Sequence, residues 1–176
     1  LFRFMLLYKK GGYWSDLDLM NLKTLDFAND TVFVSEPTPD YKKNIPTTCL
    51  VKLKKNSIIA RKLIDLCYRY KNKIVSGEIE WGLGPKVLKM VIEEYKLDNI
   101  VKPWYTVCSC HPNDTASLFN KYYRELNNKS EIIDKTNIPN SMYGVHIWNK
   151  VISEYKLFDI EINKDSFIYY LLKINI

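Results

Sequence analysis

Cysteine and histidine are scarce in this sequence, which has 4 cysteines and 2 histidines among 176 residues. Four cysteines fit neither a dense disulfide framework nor a spaced zinc module. Cys108, Cys110 and His111 are close enough in sequence to suggest a metal site, but no second ligand cluster accompanies them, and we interpret them as part of a loop. Cys67 falls on the apolar face of a predicted helix, which is typical of a core residue.

Long apolar runs are also missing. No segment reaches the roughly 20 apolar residues that cross a bilayer, and no basic segment followed by an apolar one stands at the start. We therefore expect membrane association only through segments outside this chain. The sequence begins with Leu1 inside a predicted helix, so we expect it to be part of a longer protein.

Charge and composition indicate one globular domain over residues 1–176. Hydrophobic residues make up 47% of the sequence, the net charge is +6 and the pI is near 9.0. The lysines are scattered rather than clustered, which is typical of a general residue bias and not of a nucleic-acid interface. We expect no nucleic-acid partner.

Two carboxylates follow the glycine pair Gly11-Gly12 within a short apolar run. In an extended strand, Asp16 and Asp18 would share one face about 7 Å apart at Cα, and Leu17 would share the buried face with the next leucine. Such close carboxylates repel each other unless a cation lies between them, and Mg²⁺ and Mn²⁺ prefer oxygen ligands. The pattern predicts a metal site, although a solvated strand end can look the same.

Strands and helices alternate along the predicted secondary structure. We predict helices at 2–8 and 57–70, a helix opened by Gly84 and Pro85, and another that begins at Asp114 or Thr115. Predicted strands contain the acidic pair, residues 31–35 and residues 142–148, while 36–48 is predicted to be a loop and 167–176 is ambiguous. Strands separated by helices predict an α/β fold around a mostly parallel sheet.

Several blocks together resemble one enzyme family. Residues 1–18, with 25–27 and 32–36, are similar to the glycosyltransferases with a DXD sugar-binding region, which include α-1,4-galactosyl-, α-1,4-N-acetylglucosaminyl- and yeast-type α-1,6-mannosyltransferases. Residues 81–85 and 145–149 agree with that family in order and spacing. The resemblance implies a type A, nucleotide-diphosphosugar transferase-like fold, a mostly parallel sheet flanked by helices, with its first nucleotide-binding strand missing here.

The resemblance also implies an activity and a set of ligands. The expected enzyme is a metal-dependent retaining hexosyltransferase that moves a hexose or N-acetylhexosamine from a UDP- or GDP-sugar to a hydroxyl of a glycan or glycolipid. Asp16, Asp18 and His146 are implied as ligands of Mn²⁺ or Mg²⁺. Asp18 and His146 would contact the metal directly, Asp16 would bind the metal or the donor ribose, and the two carboxylates would be the catalytic residues.

Further residues are candidates for donor binding. Arg3 resembles the family's arginine near the donor, although a surface charge would look the same. The turn at Gly84 and Pro85 lets the backbone approach a ligand, and its helix N-terminus suits phosphate or a sugar hydroxyl, but a plain helix start is identical in sequence. Glu36 is the best spare carboxylate for a double displacement, with a surface-loop role as the alternative.

Two other functions fit parts of the sequence. One is a truncated or inactive relative that binds sugar or nucleotide without turnover. The other is an unrelated α/β metal-dependent phosphohydrolase that uses Asp16 and Asp18, which leaves the blocks at Trp81 and His146 unexplained. The donor, the acceptor and the compartment, either a bacterial or viral cytoplasm or the Golgi lumen, stay open.

Overall fold

The protein is described by a computed structural model, which covers residues 1–75, 83–119, 131–154 and 162–174. Helices and strands alternate irregularly within these ranges, and three 3₁₀ segments lie between α3 and β5. The elements are α1 (Phe2–Lys10), β1 (Gly12–Ser15), β2 (Leu19–Asn21), β3 (Val32–Pro37), β4 (Asn44–Leu53), α2 (Ile58–Val75), α3 (Leu83–Tyr95), the 3₁₀ segments Asp98–Ile100, Trp104–Thr106 and Pro112–Phe119, β5 (Gly144–His146), α4 (Asn149–Glu154) and α5 (Phe167–Ile174).

The chain is organised in two compact units, each built from segments that are distant in sequence. The first unit consists of Leu1–Asp16, Asp26–Ser35 and Pro46–Pro103. The second unit consists of Leu17–Leu25, Glu36–Ile45 and Trp104–Ile176. Because the chain passes from one unit to the other repeatedly, neither could be recognised as a contiguous segment of the sequence.

The first unit contains a three-stranded sheet with the strand order β1-β4-β3. Strand β1 pairs with β4 in antiparallel register, with Gly12 opposite Leu53 and Ser15 opposite Leu50. The start of β3 is apolar and buried, and Phe33 forms a parallel bridge to Val101. The Lys102 N–H donates to the Phe33 carbonyl oxygen at 2.8 Å, so the outer edge of β3 is paired at this position.

Three helices pack together to form the core of the first unit. Helix α1 contacts α2, and α2 contacts α3. Their fully buried side chains join apolar residues of β3 and β4 in one cluster, which includes Phe4, Leu7, Leu63, Leu88 and Val91. Removing this much apolar surface from water is the main source of stability for the unit.

The predicted starts of these helices are confirmed to within one residue, whereas α1 and α2 extend two and five residues beyond their predicted ends. Helix α1 ends after Lys9 and Lys10, at Gly11, which has a φ of 72°. A Cβ at Gly11 would lie 2.7 Å from the backbone N of Lys55, so this position also has no space for a side chain. Ser57 caps α2 by accepting a hydrogen bond of 3.0 Å from the Ala60 N–H, as predicted.

The second unit contains a two-stranded antiparallel sheet of β2 and β5. Leu19 lies opposite His146, and Asn21 lies opposite Gly144. The 3₁₀ segment Pro112–Phe119 packs against both α4 and α5. This short sheet holds together two parts of the chain that are more than a hundred residues apart in sequence, and it positions the candidate site.

The prediction of a mostly parallel sheet flanked by helices, as in type A glycosyltransferases, is wrong. The structure has small sheets of three and two strands, and their β1–β4 and β2–β5 pairs are antiparallel. Parallel neighbours need a long crossover between them, usually a helix. Residues 12–53, all of which the structure describes, contain four strands and no helix. A parallel arrangement of these strands by helical crossovers is therefore not possible.

The prediction that a strand carries the acidic pair is also wrong. Strand β1 ends at Ser15 and β2 begins at Leu19, so Asp16 and Asp18 belong to the turn between two strands of different sheets. The expected alternation stops there, since Leu17 is 104% exposed whereas Leu19 is 7% exposed. The apolar run contains a turn that places Leu17 in water.

Gly144 is expected to be essential for the β2–β5 pair. A Cβ at this position would lie 2.9 Å from the Met20 carbonyl oxygen and 3.1 Å from Leu19 Cδ1. We expect Gly144→Ala to destabilise the protein by about 1–3 kcal/mol, as overpacking does, measured by urea denaturation. Gly84→Ala is the matched control, because its Cβ meets only the Thr48 side chain, at 3.3 Å. Equal stability losses in both variants would contradict this account.

The described helices have one further property in common. Each is too short or too polar to cross a lipid bilayer. The longest, α2, has 18 residues and carries charged side chains on its exposed face.

Candidate metal centre

Asp18 and His146 lie side by side in the second unit. Because Leu19 is opposite His146 in the β2–β5 pair, Asp18 lies at the end of this pair. The His146 Nε2 atom is 3.3 Å from Asp18 Oδ1. The side chains are 9% and 18% exposed, so both are largely protected from water. The sequence separates them by 128 positions, and only the fold brings them together.

Backbone donors complete the surroundings of Asp18. The Asn149 N–H donates to Asp18 Oδ2 at 3.0 Å, and the Ile147 N–H donates to the Asp18 carbonyl oxygen at 2.9 Å. The pKa of Asp18 is lowered from 3.8 to about 2, chiefly by the hydrogen bond with His146, and partial burial opposes this shift. Asp18 is therefore an anionic carboxylate throughout the neutral range.

Aromatic and acidic neighbours surround His146. Its ring centroid lies 4.7 Å from that of Trp148, and the rings are inclined at 42°. Glu36 is part of β3, which contradicts the alternative of a surface loop. Burial raises the pKa of Glu36, while His146 and Trp148 act against this rise. These contacts identify Glu36 and Trp148 as neighbours of the candidate site.

Asp16 is bound within the first unit. It accepts a hydrogen bond of 2.6 Å from the Trp14 indole N–H, and its Oδ1 lies 3.3 Å from an Arg3 guanidinium nitrogen. Arg3 also donates to the Thr48 carbonyl at 2.7 Å and lies over the Trp14 ring at 5.1 Å. Arg3 thus contacts Asp16 and the backbone of β4. Its predicted contact with the donor stays a prediction.

The block of residues 81–85 includes the start of α3, and Gly84 and Pro85 lie in the first turn of this helix, as predicted. A Cβ at Gly84 would lie 3.3 Å from Thr48 Oγ1, so the first turn of α3 lies close to the Thr48 side chain on β4. Trp81 and Gly82 lie outside the described residues. Donor binding at Gly84 and Pro85 stays a prediction.

The donor atoms of Asp18 and His146 suit a divalent metal ion. Both belong to a group of acidic and imidazole side chains that could hold such an ion. Carboxylate oxygen suits Mg²⁺ and Mn²⁺, whereas imidazole nitrogen suits the transition metals better than it suits Mg²⁺. A set that contains both kinds of donor therefore favours Mn²⁺ over Mg²⁺.

Cys108, Cys110 and His111, the alternative metal-site residues, have structural roles in their loop. The thiols of Cys108 and Cys110 are fully buried, and burial raises the pKa of Cys110 to about 12. The His111 N–H donates to the Tyr41 hydroxyl at 3.0 Å, and His111 Nδ1 accepts from the Asn113 N–H at 3.1 Å. These contacts support the interpretation as a structural loop.

We expect the cysteines to be unreactive in the folded protein, because all four are at most 2% exposed and the thiolate is the reactive form. A disulfide reagent such as DTNB should modify all of them only in guanidinium chloride, and very slowly in native buffer. Rapid native reaction that disappears in Cys110→Ser would contradict the buried loop.

Two features of the site could not be found from the sequence. The Asn149 group that binds Asp18 is a backbone N–H, which every residue except proline carries, so no residue type indicates it. Trp148 has a φ of 45°, a left-handed conformation for which tryptophan shows no preference. The resemblance at residues 145–149 identified the segment of the site, but it indicated neither the backbone donor of Asn149 nor the left-handed conformation of Trp148.

Comparisons with known proteins add no support for a family. No protein-family model matches this chain, and no curated protein matches its sequence. The resemblance to glycosyltransferases therefore stays a prediction, and a functional proposal depends on the residues of the site.

Proposed function

We propose that this chain is a metal-dependent glycosyltransferase, in which Asp18 and His146 hold a divalent cation, preferably Mn²⁺, beside a nucleotide-diphosphate sugar. The single observation that supports this proposal is the 3.3 Å approach of His146 Nε2 to Asp18 Oδ1. The acidic block and the histidine block are the two parts of the resemblance that would have to meet for such a site. They were selected from the sequence independently of the fold.

The surroundings of the pair suit metal binding. Asp18 is ionised at neutral pH, and its Oδ2 is oriented by the Asn149 N–H. The low exposure of His146 keeps water from competing for its imidazole. Asp16 directly follows β1 and is separated from Asp18 in the sequence only by Leu17, so we propose it as a further carboxylate ligand or as a ligand of the donor ribose.

The reaction would be the transfer of a hexose or N-acetylhexosamine to a hydroxyl of a glycan or glycolipid. A bound divalent cation neutralises the charge that develops on a departing nucleoside diphosphate. The chain's own contribution is to hold Asp18 as an anion, to orient His146 and to keep both side chains partly shielded from water. Glu36, a half-buried carboxylate near His146, is the spare acidic group for a double displacement.

The first test is calorimetric binding of UDP and GDP with and without Mn²⁺. We expect one nucleotide to bind only when Mn²⁺ is present, and this result would also name the donor class. The matching UDP- or GDP-sugars would then be followed by proton NMR for transfer with retained anomeric configuration. Metal-dependent hydrolysis of a simple phosphate ester, without metal-dependent nucleotide binding, would overturn the proposal in favour of a phosphohydrolase.

A further inference from the structure

Trp148 adopts a backbone conformation that is unfavourable for its residue type. Its φ of 45° lies in the left-handed region, which glycine, asparagine and aspartate enter more readily than a bulky aromatic residue. Such a residue persists only where its surroundings hold it. Trp148 is 8% exposed, so its large side chain is held in the interior.

This conformation directs two backbone donors to a single residue. The Ile147 N–H and the Asn149 N–H flank Trp148, and they donate to the carbonyl oxygen and to the carboxylate of Asp18, at 2.9 Å and 3.0 Å. These two N–H groups are two positions apart in the sequence, and only the Asn149 N–H reaches the carboxylate, so the backbone has to turn at the residue between them. The left-handed residue provides that turn between strand β5 and helix α4.

The side chain of Trp148 packs against His146, the second residue of the Asp18–His146 pair. Its ring lies 4.7 Å from the His146 ring, centroid to centroid. Packing against a large rigid ring restricts rotation of the imidazole, whose Nε2 points to Asp18. The ring of Trp148 thus contacts His146, and the N–H groups of the residues on either side of Trp148 bind Asp18.

We propose that Trp148 is the positioning residue of the Asp18–His146 pair: its left-handed backbone orients Asp18 and its ring fixes the direction of the His146 imidazole. The inference concerns the geometry of the pair, and its consequence for metal affinity rests on the proposed function.

The test compares three variants at this position by Mn²⁺ calorimetry. Trp148→Asn and Trp148→Gly remove the ring but accept the left-handed conformation, so folding should survive in at least one of them. Trp148→Phe keeps an aromatic ring. We expect about tenfold or more loss of Mn²⁺ affinity in the first two, as for residues that orient metal ligands, and at most about threefold loss in Trp148→Phe. Trp104→Asn is the control, because Trp104 packs instead against Tyr41 and Tyr105.

A second measurement separates this inference from the proposed function. The sequence has only 2 histidines, so the ring nitrogens of His146 can be assigned by NMR with a His111→Gln variant. In metal-free protein we expect His146 to occupy one tautomer, and Trp148→Asn or Trp148→Gly to produce a mixture. If the wild type binds no Mn²⁺, the proposed function fails and this tautomer comparison alone decides the inference. Unchanged tautomer and unchanged Mn²⁺ affinity in the ring-deleted variants would overturn it.

Discussion

Replacing Asp18 by asparagine is expected to lower Mn²⁺ affinity by at least about 100-fold, more than the loss typical of residues that only support ligands. The substitution removes the negative charge, while its remaining oxygen can still accept the Asn149 N–H that now binds Oδ2. The local fold should therefore survive. Binding is measured by calorimetry and by the electron paramagnetic resonance signal of free Mn²⁺. Transfer activity should disappear together with metal binding.

Matched controls make this prediction specific. Asp30→Asn removes the same charge from an exposed position, where Asp30 pairs with Lys54 at 3.2 Å, and it should leave Mn²⁺ affinity unchanged. His146→Gln should weaken Mn²⁺ binding, whereas His111→Gln should not. Mn²⁺ affinity and turnover close to those of the wild type in Asp18→Asn would exclude Asp18 as a ligand and remove the main support for the proposed function.

Replacing Phe4 by alanine is expected to destabilise the protein by about 3–5 kcal/mol, the usual cost of deleting a buried aromatic ring. Phe4 is fully buried in the cluster that joins α1, α2 and α3 to the sheet of the first unit. The free energy of unfolding is measured by urea denaturation. At this size the loss is a large share of the stability of a typical domain.

Phe2→Ala on the same helix is the control. Phe2 is 69% exposed, so we expect a change of about 0.5 kcal/mol or less. Similar losses for the two phenylalanines would show that α1 does not pack as described. A small loss for Phe4→Ala alone would mean that the surrounding side chains close the cavity.

Helix positions were predictable from the sequence because their signals are local. The amphipathic period, the Ser57 cap, and the basic turn and glycines that end α1 all act within a few residues. Pro85 near the start of α3 is another such signal. The predictions for these three helices are confirmed, although their ends differ by several residues.

Strand pairing was not predictable in the same way. The alternation of apolar and acidic residues from Tyr13 to Leu19 favoured one continuous strand, but the structure breaks it into β1, a turn and β2. The reason is tertiary, because β1 pairs with β4 and β2 pairs with β5, in two different sheets. Partners so distant in sequence are selected by the packing of the whole chain.

The sequence by itself determined the chemistry that the site can have. It placed two carboxylates within three residues, supplied only two histidines, and excluded a cysteine-rich zinc module. The tertiary structure alone decided that His146 rather than His111 lies beside Asp18, and that backbone N–H groups orient the carboxylate. Residue types determine which atoms can bind a metal ion, whereas distances between remote residues depend on strand pairing and turn conformation, which no local pattern encodes.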